Sequence, residues 1–293
     1  MMRILDLILG RERLILRETE RAIVLRKGRL DAILGAGEHV LPRRKTEVQK
    51  HDLSIPRFTS VYAEALIRTR PDLVERHLMV VETGADQVKI VNRNGRAHEV
   101  ITPDTRALHW LDAGEWTVDT VELGETHAVE DRLAKRLMRS GLTKTITSVE
   151  VADGKVGILS VDGVIERLLE PGTYWFWMLG RKHVVKLVDV RWQAHEVTGQ
   201  ELLTADRVTI RVNLTADYRV ADPMVAVTSV KDYGEALHLA LQLAYRKTLG
   251  AVTLDALLAD KVAVSGEAEA KVRAEMARIG IEVGEIALKD VIL

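Results

Sequence analysis

The sequence predicts an α+β chain in which tandem small antiparallel β-modules with helical connectors precede a larger α+β domain. Three observations lead there. A segment with the same turn residues recurs three times, helical spacing fills the intervals after its first two copies, and one long stretch of strict alternation follows the third.

The repeat organises the whole chain. Gly28, Gly95 and Gly163 align, with Ile23-Val24, Ile90-Val91 and Ile158-Leu159 five and four residues before them and Gly37, Asp104 and Gly172 nine residues after. The copies lie about 67 residues apart, and each ends in an acid followed by an aliphatic residue: Asp52-Leu53, Glu122-Leu123 and Asp189-Val190. Lys27-Gly28, Asn94-Gly95 and Asp162-Gly163 are hairpin signals, because Gly, Asn and Asp tolerate the positive φ of tight turns. Ala36-Gly37, Pro103-Asp104 and Pro171-Gly172 read as further turns. Each copy is therefore expected to be a small antiparallel meander. The domains are expected at 1–78, 79–150 and 151–293, the last opening with the third module.

Between modules the period changes. Tyr62 to His77, interrupted at Pro71, and His127 to Arg139, stopped by Gly141, have helical spacing, with Val129, Leu133 and Leu137 on one face. The third copy runs instead through Glu201 into Val208, Ile210, Val212, Leu214, Ala216, Tyr218 and Val220, with polar residues between them. That is a long half-buried strand. Asp222-Pro223 has the residue types that start a helix. A second helix is expected from Asp232 to Leu249, with Leu237, Leu241 and Ala244 inward and Gly250 as its stop. A third ends at Gly280 and carries Ala268, Val272 and Met276, and the apolar segment Ile281 to Leu293 closes the chain.

Composition excludes several classes of function. Forty-two basic residues against forty-three acidic ones give a net charge of −1, so no chain-wide field draws the protein to nucleic acid. There is no cysteine, hence no disulfide, thiolate metal site or cysteine nucleophile. The apolar run Ile4 to Leu9, broken by Asp6, is far short of the about 20 residues of a spanning helix, and no small-residue cleavage site follows it. The chain is expected to be cytoplasmic, or peripheral on the cytoplasmic face of a membrane.

The sequence carries no recognisable catalytic or metal-binding motif. No pair among the nine histidines has metal-site spacing on a helix; His51-Asp52 and His127 with Glu130 read as solvated or edge-strand residues. Gly35-Ala36-Gly37 lacks the Gly-Lys-Ser/Thr of a phosphate loop and is a turn. There is no Gly-x-Ser-x-Gly elbow. No catalytic, cofactor-binding or metal residue is assigned, and no enzyme is expected.

Two segments are candidate contact surfaces. Tyr174, Trp175, Phe176 and Trp177 hold four of the twelve aromatic residues, and on a strand they alternate faces, so at least one face needs a partner. A strand buried on both faces by the next module, a subunit interface and lipid are the three readings. Ile4, Leu5, Ile8 and Leu9 form a short apolar segment that suits packing, docking on a neighbour or the edge of a bilayer. Arg43-Arg44-Lys45 and Arg132 to Arg139 are basic, the second as the wet side of an amphipathic helix.

From Lys155 onward, about 139 residues, a set of short motifs follows in order: Gly163-Val164, Leu169-Glu170-Pro171-Gly172-Thr173-Tyr174, Val188-Asp189-Val190-Arg191 and Leu203-Thr204-Ala205-Asp206. They continue through Tyr218-Arg219-Val220-Ala221-Asp222-Pro223, Asp232-Tyr233, Leu249-Gly250, Thr253-Leu254-Asp255-Ala256-Leu257-Leu258, Gly280-Ile281-Glu282-Val283 and Leu288-Lys289-Asp290-Val291. In these motifs the segment resembles the SPFH (band 7) domain of the stomatin/prohibitin/flotillin superfamily, in its slipin/stomatin branch. The resemblance implies an SPFH-type α+β domain that assembles side by side into rings or cages and organises membrane patches or membrane proteases, with no catalytic activity. The implied partners are copies of the chain, a client such as a membrane protease, and a membrane touched peripherally. Extra β-modules before such a domain also resemble a vault-like soluble cage. A soluble adaptor that captures a protein client without membrane contact is thus the alternative.

Overall fold

Each copy of the repeat folds into five strands with one pairing scheme. In the computed structural model, which describes residues 10–124 and 127–292, the first copy comprises β1 (Arg11–Leu16), β2 (Glu20–Arg26), β3 (Arg29–Leu34), β4 (Gly37–Pro42) and β5 (Thr46–Asp52). β1 pairs with β4, and β2 lies between β3 and β5. Helices α1 (Ala63–Thr69) and α2 (Pro71–His77) lead into β6 (Leu78–Glu82), β7 (Gln87–Arg93), β8 (Arg96–Ile101), β9 (Arg106–Trp110) and β10 (Trp116–Glu122). Here β6 pairs with β9, and β7 lies between β8 and β10. After β11 (Ala128–Val129) and α3 (Asp131–Arg139) come β12 (Ile146–Val151), β13 (Lys155–Val161), β14 (Val164–Leu169), β15 (Gly172–Trp177) and β16 (His183–Asp189). β13 lies between β14 and β16, and β15 between β11 and β12.

The agreement extends to backbone detail. The turn residues Lys27-Gly28, Asn94-Gly95 and Asp162-Gly163 all have positive φ, between 50° and 87°, which matches the right-handed twist of a two-residue hairpin. Each hairpin also carries a register shift at the same place, after Val24, Val91 and Leu159. A bulge strengthens local twist and pins register.

The chain divides into two compact units, residues 1–147 with 175–180, and residues 148–174 with 181–293. The first unit explains why its second segment is drawn from the third copy. Its first core joins Ile23, Leu25 and Ile33 to Phe58, Leu66 and Leu73 of the connector and to Leu108 and Trp110 of β9. Its second core joins Val88, Ile90 and Ala97 to Val129, Ala134 and Leu137 of the connector and to Trp177, with Trp175 packed alongside. Each of these modules is closed by its connector and by the fourth strand of the copy that follows. The backbone fixes both closures. Phe58 N–H donates to the Leu108 carbonyl at 2.8 Å, Trp110 N–H to Pro56 at 2.9 Å, and Trp177 N–H to His127 at 2.8 Å.

That closure changes the second connector. Helix is expected from His127, yet Ala128 and Val129 are extended and pair with Phe176 and Trp175, and the helix begins at Asp131. Cross-strand hydrogen bonding has replaced the first helical turn. The first connector is split at Pro71, as the ring of proline requires.

In the second unit β17 (Gln193–Leu203), β18 (Thr209–Val220) and β19 (Ile281–Ile292) form an antiparallel sheet with β18 central. Between β18 and β19 lie α4 (Pro223–Ser229), α5 (Tyr233–Leu249), α6 (Leu254–Ala259) and α7 (Lys261–Ala277). The alternation of β18 is realised: Ile210, Val212, Leu214, Ala216, Tyr218 and Val220 are all buried. They share a core with Leu237 and Leu241 of α5, with Ala268, Val272 and Met276 of α7, and with Ile158 and Val188 from the third module. Gly250 ends α5 without a left-handed turn, at φ −69°. Glycine suits this position because a Cβ would lie 2.8 Å from the Arg246 carbonyl oxygen.

Candidate functional site: surfaces available for assembly

The residues that carry the motifs of the C-terminal unit are structural ones. Asp222 accepts from Val225 N–H at the start of α4, and Asp232 from Gly234 and Glu235 N–H at the start of α5. These caps satisfy donors that a helix leaves open. Thr204 donates its hydroxyl to Asp206 at 2.5 Å, and the Asp206 carboxylate accepts from Leu254 N–H at 3.2 Å. The loop before β18 is thereby tied to the first turn of α6. These hydrogen bonds hold the Asp206 carboxyl below the usual carboxylate range.

The aromatic segment divides between core and surface. Phe176 and Trp177 are 0% and 1% exposed, which corrects the expectation that they form a contact surface. Their strand is covered by its own neighbours. Trp175 is half-buried beside its cross-strand partner Val129. Tyr174 is half-buried too, and its hydroxyl donates to the Glu170 carbonyl at 2.9 Å. The N-terminal candidates Ile4, Leu5, Ile8 and Leu9 lie outside the described residues.

No group of three His, Cys, Asp or Glu residues able to hold a metal ion occurs among the described residues. His51 packs its ring 5.2 Å from Phe58 and 5.3 Å from Trp110, and burial lowers its pKa. His127 sits at φ 50° beside the closure by Trp177. One buried polar group went unnoticed in the sequence. His109 of β9 is fully buried, with Nε2 2.7 Å from Glu99, and Glu99 is also bound by Arg57. Burial, aided by the Arg57 charge, pushes the His109 pKa down to about 4.

The sign of the resulting pH dependence follows directly. The folded state binds fewer protons at His109 than the unfolded chain, so its contribution is complete above about pH 6.5 and is lost as pH falls toward 4. Moving from pH 7.5 to 5 should cost the first unit about 2 kcal/mol through this residue alone. Urea midpoints at the two pH values test this, with His109→Asn expected to flatten the dependence and an unchanged slope in that variant opposing it.

The second unit carries an apolar surface that its own fold leaves open. On α5, Leu237 and Leu241 face the core, while Leu239 and Leu243, four residues apart, are 50% and 65% exposed. Beside them a groove of about 470 Å³ between α5 and α7 is lined by Ala240, Leu243, Ala244, Arg246, Lys247, Lys271 and Glu275. The signal was present in the sequence: Leu237 and Leu241 fall on one face and Leu239 and Leu243 on another, with Glu235, His238, Gln242 and Arg246 on the arc between, the pattern of a helix with two apolar faces.

No helix among the described residues is long and apolar enough to cross a membrane. Residues 149–293 match the model of the SPFH domain / Band 7 family. A stomatin homolog of Pyrococcus horikoshii is 34% identical over 121 residues, covering 41% of this chain and 45% of that protein. Mechanosensory protein 2 of Caenorhabditis elegans is 32% identical over 104 residues, 36% of this chain and 22% of that protein. Stomatin-1 of the same organism is 30% identical over 104 residues, 36% and 32%. The chain spans less than half the length of these relatives.

Proposed function

Because residues 149–293 are an SPFH domain of the Band 7 family, similar to the stomatins, we propose that the chain is a non-enzymatic scaffold subunit that self-assembles and organises membrane-associated partners. The observation that carries this reading is the open leucine stripe of α5. An apolar stripe on an otherwise packed helix gains by being covered, and burying an exposed leucine contributes about 1.5–3 kcal/mol. Arg246, Lys247 and Lys271 with Glu275 at its border give the contact a charged rim of net positive sign, which sets orientation more than affinity. The structural roles of Asp206, Asp222 and Asp232 support a domain whose polar motif residues hold shape.

The absence of cysteine makes the test clean. A single thiol introduced by Leu243→Cys can carry an environment-sensitive fluorophore. Its emission should shift to the blue as concentration rises, while the same label at the exposed turn residue Lys27 stays wet. Identical, concentration-independent spectra at both positions would contradict assembly through α5.

A further inference from the structure

The β7–β8 hairpin concentrates positive charge that neither the packing of the first unit nor assembly through α5 uses. Its register places Arg93 directly opposite Arg96 across the Asn94-Gly95 turn, an unfavourable juxtaposition of like charges. The first copy has the same pair, Arg26 opposite Arg29, but there Arg26 is neutralised by Asp31 at 3.2 Å. The third copy has Val161 opposite Val164. In the second copy the position equivalent to Asp31, 67 residues on, is His98. The neutralising carboxylate has been replaced by an imidazole.

The charges line one pocket. Arg93, Asn94, Arg96, His98, Arg139 and Ser140 surround an open cavity of about 610 Å³ that no carboxylate lines. Neither Arg93, Arg96 nor Arg139 has a salt-bridge partner among the described residues. Two of them are already oriented: Arg93 Nε donates to the Ala113 carbonyl at 2.7 Å and Arg139 Nε to the Lys135 carbonyl at 3.2 Å. Each keeps its terminal nitrogens free in a planar fork, the geometry that matches an oxyanion. Burial, and after it the Arg93 charge, lowers the His98 pKa.

We propose that this pocket binds a phosphoryl oxyanion, held by the guanidinium groups of Arg93, Arg96 and Arg139. The phosphate can be free in solution or the headgroup of a lipid, and the chemistry of recognition is the same for both.

Calorimetric titration of the full chain with inorganic phosphate at low ionic strength tests the site, alongside flotation on phosphatidylcholine vesicles containing phosphatidic acid or, at equal charge, phosphatidylserine. Saturable binding of phosphate alone identifies a soluble ligand. Flotation on phosphatidic acid above phosphatidylserine identifies the headgroup. Arg96→Glu places a carboxylate directly opposite Arg93 and so removes the like-charge pair, so thermal stability should hold while binding falls about tenfold or more. Arg139→Gln should weaken binding several-fold with the hairpin untouched. Absence of saturable binding to either probe, or equal binding by wild type and both folded variants, would overturn the proposal.

Discussion

Trp177→Ala should destabilise the first unit by about 3–5 kcal/mol, the range for deleting a large buried aromatic. The side chain is 1% exposed and packs among Val88, Ile90, Ala97 and Leu137. It sits where the fourth strand of the third copy closes the second module, and its own N–H is bonded to His127. Removing the indole leaves a cavity bounded by two strands and a helix, which hold one another in place and relax little. Trp175→Ala, at a half-buried site, should cost markedly less. Urea denaturation of both variants decides. A loss below about 1 kcal/mol at Trp177 would contradict the buried reading and return the residue to the contact-surface one, also open from the sequence.

Gly280→Ala should cost the second unit roughly 2–4 kcal/mol, for two reasons that add. Gly280 has φ +76°, and a Cβ built there lies 2.5 Å from the Asp222 carbonyl oxygen and 3.2 Å from Ala226 N. These neighbours are backbone atoms at the start of α4, and they cannot swing aside. Moreover, Ala221 and Asp222 both donate N–H to the Gly280 carbonyl at 2.9 Å, so a shift that relieves the clash breaks the tie between the end of β18 and the start of β19. Gly28→Ala is the internal control. Its φ is +74°, yet no atom lies within 4 Å of the added methyl, and the change should cost only about 1 kcal/mol. Equal midpoint shifts in the two variants would show that close approach at Gly280 contributes nothing.

The contrast between these two residues shows what the sequence could reveal. The alternation from Ile210 to Val220 and the inward residues of α5 and α7 were legible because burial of one face imposes its period on the residues themselves. The turn at Lys27-Gly28 and its two counterparts were legible for a similar reason: positive φ narrows the choice of residue. The exchange of strands between copies was not legible. Aligning copies says which residues are equivalent, whereas the choice of module closed by Trp177 is made by pairing with Ala128 and Val129, a segment too short to show a strand period. His109 was hidden likewise, since its partner Glu99 lies on another strand and is recruited only when β8 and β9 are in place. The stripe of Leu239 and Leu243 is visible in the sequence as a second pair of leucines four residues apart, offset by two from the inward pair Leu237 and Leu241. Charge at the β7–β8 hairpin becomes informative only by comparison between copies, where Asp31 gives way to His98.

The repeat and the segment that matches the Band 7 family model meet in the third module, whose Ile158 and Val188 enter the core of the second unit. A chain built this way has modules closed by their neighbours at one end of the sequence and, at the other, an α+β domain with one apolar helix face left open. Light scattering coupled to size exclusion, on the 293-residue chain across the micromolar range, tests that account most directly. It predicts a discrete multimer of the 32.7 kDa subunit that dissociates when Leu239 and Leu243 are both changed to lysine while thermal stability is retained. A wild-type chain that elutes as a monomer at every concentration would contradict it.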